Sequence, residues 1–182
     1  MVTSHALNQS AIKATTQGKH RSVLMNSSRM SSSYRVERGN LESTQARYEL
    51  YLPSNASSEN KVGAVILLHG FQCKLDYHRG TAAMLARNNV ACLILDMLSL
   101  MGLVKKTLHQ LREKNVLATL GYVEWLSARP EIQPGKLVLA GYSAGGAVAL
   151  ETASAIAGKG GVRGVLLLDA VPCVFCIRDI RG

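Results

Sequence analysis

A chain of 182 residues suits one domain with room for a sizeable core. Its 47% apolar and 18% charged residues and mean hydropathy of +0.09 are those of an ordinary globular protein, and no apolar run approaches the roughly 18–20 residues of a membrane span. The net charge of +9 is uneven: residues 1–36 hold five basic residues and no acid, the remainder 16 basic and 12 acidic. No basic stripe is interleaved with aromatics, so a nucleic-acid partner is not expected.

Residues 1–36, rich in Ser, Thr and Asn and free of acids, resemble an organelle transit peptide, which predicts a plastid or mitochondrion. An ordinary N-terminal tail has the same composition, and the cytoplasm is then the expected location. The folded pattern begins at Gly39 and runs to residue 182. ARYELYLP alternates and reads as an early strand ended by Pro53. VGAVILLHG is apolar without alternation, as in a parallel strand covered on both faces. DYHRGTAAMLARNN reads as a helix closed by an Asn pair, and NVACLILDM as a second buried strand. Residues 99–112 read as loop running into helix. Residues 113–128 carry Val116, Leu120, Val123 and Leu126 at helical spacing, with Pro130 and Pro134 beyond them as stops. KLVLAGY is a third buried strand, SAGGAVALETASAIAG a small-residue helix and VRGVLLLDAV a fourth strand. The alternation predicts an α/β fold: an open, mostly parallel twisted sheet with helices on both faces. Sites in such sheets form at the carboxyl ends of strands.

GYSAGG sits at such an end, between KLVLA and AVALETA. A strand–turn–helix with G-x-S-x-G at the turn holds its serine, Ser143, exposed in a strained conformation, and Gly141 and Gly145 keep side chains out of the bend. A serine capping the helix is the alternative. An oxyanion hole needs two N–H groups aimed at one point. Ala144 would supply one, and Phe71 or Gln72, after the HGF that ends the first buried strand, the other. His69 is expected to hold that loop. Asp96, ending the LILD strand, is expected to shape the pocket.

VILLHGF, LILDM, LVLAGYSAGG and GVLLLDAV together resemble the α/β-hydrolase superfamily over about residues 44–175. The short run from HGF to GYSAGG is similar to dienelactone hydrolases, chlorophyllases and related small serine esterases. The resemblance implies hydrolysis of a small-molecule carboxylic ester, lactone or thioester through an acyl-enzyme, without a cofactor. It implies Ser143 as nucleophile and, from an Asp followed by a Pro-bearing turn in LLLDAVP, Asp169 as the orienting acid. A histidine should follow the acid as base. Here His5, His20, His69, His78 and His109 all precede Ser143. The sequence is thus expected to stop short of the family's last strands and helices, with an apolar strand at a sheet edge. A catalytically inactive protein that binds a ligand or partner on the same frame, and a fragment without independent function, are the alternatives.

Other chemistries lack their patterns. Cys173 and Cys176 form a CxxC without a second pair or histidines at zinc spacing, so no metal is expected, and Cys73 and Cys92 read as ordinary thiols. GKGGVRG at 158–164 precedes a strand rather than following one, which fails the dinucleotide-binding context.

Overall fold

The computed structural model describes residues 33–41, 46–70, 73–97, 108–158 and 160–169, without the side chains of 108–111. The described chain runs β1 (Tyr34–Asn40), β2 (Arg47–Pro53), β3 (Val62–Leu68), a 3-10 turn (Leu75–His78), α1 (Arg79–Arg87), β4 (Val90–Leu95), α2 (Leu108–Ser127), β5 (Ile132–Tyr142), α3 (Ala144–Ala155) and β6 (Val162–Leu168). The strands form one sheet in the order β1-β2-β4-β3-β5-β6. β1 and β2 are antiparallel to their neighbours, and β4, β3, β5 and β6 are parallel. The open, mostly parallel sheet expected from the sequence is therefore present.

Period-2 alternation of the central strands decides which helix lies on which face. On one face, Leu50, Ile66, Leu68, Leu93, Leu95, Leu137 and Leu139 pack with Tyr122, Val123 and Leu126 of α2 and Val148 and Ala149 of α3. On the other, Tyr51, Leu67, Cys92, Ile94 and Ala140 pack with Leu75 and with Ala82 and Ala86 of α1. Because both faces are covered, both sets must be apolar, and the strands read as continuous apolar runs.

Three boundaries differ from the sequence reading. β1 begins at Tyr34, inside the stretch 1–36 read as a leader. YRVERGN has no apolar run to announce a strand; its charges are used in pairs, with Arg35 and Glu37 meeting Glu131 and Arg129. α2 begins at Leu108, ahead of the helix read over 113–128 and within the segment read as loop running into helix. β5 starts at Ile132 and crosses Pro134. Its register against β3 jumps between the pairs Val62–Ile132 and Ala64–Leu137, a bulge that takes up Pro134 and Gly135, the latter at φ +73°. The expected Asn pair does close α1: Asn88 N–H and side-chain amide both donate to Met84 carbonyl, at 3.2 and 2.8 Å, and Asn89 takes φ +63°.

Candidate active site

The sheet order reverses direction at β3: β4 lies on one side of it and β5 on the other. A crevice opens at the carboxyl ends of two strands that send their connections opposite ways. Gly70 follows β3 and Ser143 follows β5, so both stand at this point.

Ser143 has φ +50° and ψ −117°, a region that L residues occupy only where surrounding contacts impose it. The contacts are close. A Cβ on Gly141 would lie 2.2 Å from Gly145 O, and one on Gly145 would lie 2.3 Å from Leu68 O and 2.7 Å from His69 O. α3 is thus pressed backbone to backbone onto β3 and β5, and only glycine fits. Ser143 N–H donates to Leu168 O at 3.1 Å, and Gly146 N–H donates to Ser143 O at 2.9 Å. The serine precedes α3 but makes no side-chain capping hydrogen bond, so its hydroxyl is not used as a cap. Ala144 opens α3, where a backbone N–H has no intrahelical acceptor and the helix dipole favours negative charge. Phe71 and Gln72 lie outside the described residues. Gly70, just before them, is close to the serine: a Cβ there would meet Ser143 Cβ at 3.3 Å and Tyr142 Cδ1 at 3.1 Å.

Asp169 follows β6 directly, at φ +47°. Tyr142 pairs with Leu168, so Ser143 and Asp169 are each one residue beyond the last pair of adjacent strands. The sequence-predicted serine, helix N-terminus and acid are brought to one end of one pair of strands.

The histidines divide. His69 is buried and both its ring nitrogens are engaged: Nε2 accepts Met97 N–H at 3.0 Å, so the hydrogen resides on Nδ1 and is donated to Gly70 O at 2.8 Å. It holds the loop, as expected. Asp96 stands 3.9 Å from His69 Nε2 and accepts from Arg47 at 2.9 Å, which ties the end of β4 to β2. His78 is 7% exposed, and its Nε2 has no hydrogen-bond partner among the described residues. Burial, with His69 nearby, holds it below the ordinary histidine value. Its ring meets Tyr77 edge-on at 5.3 Å, and Tyr77 lies 6.5 Å from Tyr142, so the 3-10 turn borders the residue before the serine. The side chain of His109 and all of His5, His20, Cys173 and Cys176 lie outside the described residues. Cys73 and Cys92 are free thiols, and burial pushes Cys92 up to about 12, which leaves it unreactive. Among the described residues no three His, Cys, Asp or Glu side chains cluster as metal ligands, and no helix is long and apolar enough to cross a membrane.

A mostly parallel sheet with helices on both faces and a serine turn at its switch point defines an α/β protein. The family model described as "Alpha/beta hydrolase family" matches residues 65–180, and the chain belongs to that family. Solved structures share the fold. A hyperthermophilic esterase from the archaeon Pyrobaculum calidifontis has a TM-score of 0.60 at 20% identity, over 75% of this chain and 44% of that one. Dienelactone hydrolase from Anabaena variabilis has a TM-score of 0.59 at 20% identity, over 76% and 64%. Brefeldin A esterase, a bacterial homologue of human hormone-sensitive lipase, has a TM-score of 0.58 at 15% identity, over 79% and 42%. The chain therefore spans between 42% and 64% of the length of these structures. Comparison with curated proteins gives no match.

Proposed function

We propose that the chain carries the nucleophile half of a serine hydrolase acting on a small-molecule carboxylic ester, lactone or thioester. The observation that carries this reading is Ser143 itself: a non-glycine residue at φ +50°, free of the capping role, at the end of a central parallel strand and in front of a helix N-terminus. Strain of this kind is retained where surroundings impose it for a purpose, and a nucleophile elbow is that purpose. Ser143 Oγ attacks the ester carbonyl. The developing oxyanion is received by the N–H of Ala144 and by a second N–H from the loop after Gly70, that of Phe71. The alcohol or thiol leaves with the proton that the serine hydroxyl gives up to a histidine base, and water releases the acid from the acyl-enzyme. Asp169 is the orienting acid for a histidine base. No histidine follows Ser143 in these 182 residues, and His69 has both nitrogens committed.

With both ring nitrogens of His69 engaged, a second reading is that the same frame binds an ester or acid without turning it over. Labelling the folded chain with a fluorophosphonate probe separates the two. Labelling that disappears in Ser143→Ala supports the hydrolase. A folded sample, shown by a cooperative melt, that does not label supports the binding protein.

The leader is proposed to direct the chain to a plastid or mitochondrion. β1 limits such a leader to residues before Tyr34. Fusing residues 1–33 to a fluorescent protein tests the address, and diffuse cytoplasmic signal would refute it.

A further inference from the structure

Glu49 places a carboxylate in the core on β2, 3% exposed. A charge there is tolerated only when its oxygens are filled by donors, and these are. Arg79 Nε donates to Oε2 at 3.0 Å and Nη2 to Oε1 at 2.6 Å. Arg38 Nε donates to Oε1 at 3.0 Å and the Tyr51 hydroxyl to Oε2 at 2.9 Å. Burial alone raises this carboxyl; the hydrogen bonds from Arg79, Arg38 and Tyr51 outweigh it and leave it below the ordinary glutamate value. The Tyr51 hydroxyl, buried and donating to that anion, is pushed up to about 12.

The two arginines enter from different places. Arg38 is on β1, and β1 is already paired with β2 along its whole length. Arg79 is the first residue of α1 and the immediate successor of the 3-10 turn. From there the contacts run back to the serine. Arg79 holds Asp76 of the turn at 3.1 Å. Tyr77 N–H donates to Lys74 O at 3.0 Å, and Cys73 N–H donates to Gly70 O at 3.2 Å. The backbone of Gly70 then bounds Ser143 Cβ. An arginine fork on both oxygens of a buried carboxylate fixes direction as well as distance, which a lysine point charge does not.

We propose that Glu49 and Arg79 are positioning residues: a buried clamp that sets the 3-10 turn, Leu75–His78, beside Tyr142 and so beside Ser143. The inference rests on the hydrolase reading for its effect on rate, and not for its effect on the turn. The test uses the 182-residue chain with Arg79→Lys and, as a control on the same carboxylate, Arg38→Lys. Both substitutions keep the charge, so neither strands Glu49. Two quantities are read: the rate of fluorophosphonate labelling of Ser143, and amide exchange at residues 73–78 relative to β3 and β5. Displacing a reacting frame by about 1 Å lowers rates by up to roughly a hundredfold. The expected result is labelling slowed about tenfold or more in Arg79→Lys, with faster exchange at 73–78, unchanged exchange in the strands, and a thermal midpoint matching that of Arg38→Lys. Equal slowing in the two variants, or wild-type labelling in Arg79→Lys, overturns the clamp. A wild-type chain that does not label overturns hydrolysis by these 182 residues alone instead. Exchange at 73–78 then decides the clamp alone: raised in Arg79→Lys only, it stands; unchanged, it falls.

Discussion

Backbone contact, more than any side chain, holds Ser143 in its strained conformation, and substitutions at glycine test this directly. A Cβ at Gly145 would sit 2.3 Å from a backbone oxygen, which no rotamer can relieve. Gly145→Ala is expected to lower unfolding free energy by about 3 kcal/mol or more in urea titration. Gly80, in the first turn of α1, has nothing within 4 Å of its missing Cβ. Gly80→Ala should raise stability, by up to ~1 kcal/mol, through the unfolded chain's lost freedom. Equal effects from the two would mean that α3 is not pressed onto β3. His78 adds a pH signature. Its folded pKa lies below the ordinary 6.5, chiefly from burial and secondly from His69, so the unfolded chain takes up the proton first. Stability is full above pH 6.5 and falls as pH drops below it toward the folded value. Glu49 and Glu131 are held below 4.5, since arginine hydrogen bonds outweigh their burial, and their contribution is lost only under 4.5. His78→Gln, which breaks no described hydrogen bond of Nε2, should flatten the urea midpoint between pH 6.5 and 4.5 and leave the acid limb below. A mutant curve parallel to wild type across that window would remove His78 as its cause.

Among elements, α2 is joined to the first two strands by one buried phenol. The Tyr122 hydroxyl donates to Ala46 O and accepts Leu41 N–H at 3.1 Å. Tyr122→Phe keeps the ring contacts with Tyr48 and Trp125 but removes both hydrogen bonds of the hydroxyl. A loss of about 1–3 kcal/mol is expected in equilibrium unfolding; a change under about 0.5 kcal/mol would show that water replaces the hydroxyl. This bond also illustrates what was legible beforehand. The buried strands, α1, α3 and the serine turn were readable because each is declared within a dozen consecutive residues, by an apolar run or by GYSAGG. β1 was not, because its residues are polar and their partners lie far along the chain, Glu37 meeting Arg129. Arg79 was not, since nothing near it announces Glu49. Asp169 was readable only through the resemblance; its place beside Ser143 follows from the pairing of Tyr142 with Leu168, which no single segment encodes.

Across the whole sheet the two ends are unlike. β1 closes one end with charged residues, a device that discourages pairing with other chains. β6 ends the other. It pairs with β5, and among the described residues no strand lies on its far edge. Its last three residues are apolar and open: Leu166, Leu167 and Leu168 are 52%, 46% and 39% exposed. Because neighbouring residues on a strand point to opposite faces, both faces at this edge are apolar. Two copies meeting edge to edge would satisfy the backbone groups of β6 and bury leucines from each at once. The 182-residue chain is therefore expected to associate with rising concentration in sedimentation velocity. Leu166→Lys places a charge where such pairing would bury it, while the exposed position limits the change in stability to about 0.5 kcal/mol. The variant should sediment as a monomer at concentrations where wild type does not, with the same urea midpoint. A wild-type chain that stays monomeric throughout would show that the β6 edge is covered, and the described strands would then not include the strand or segment that covers it.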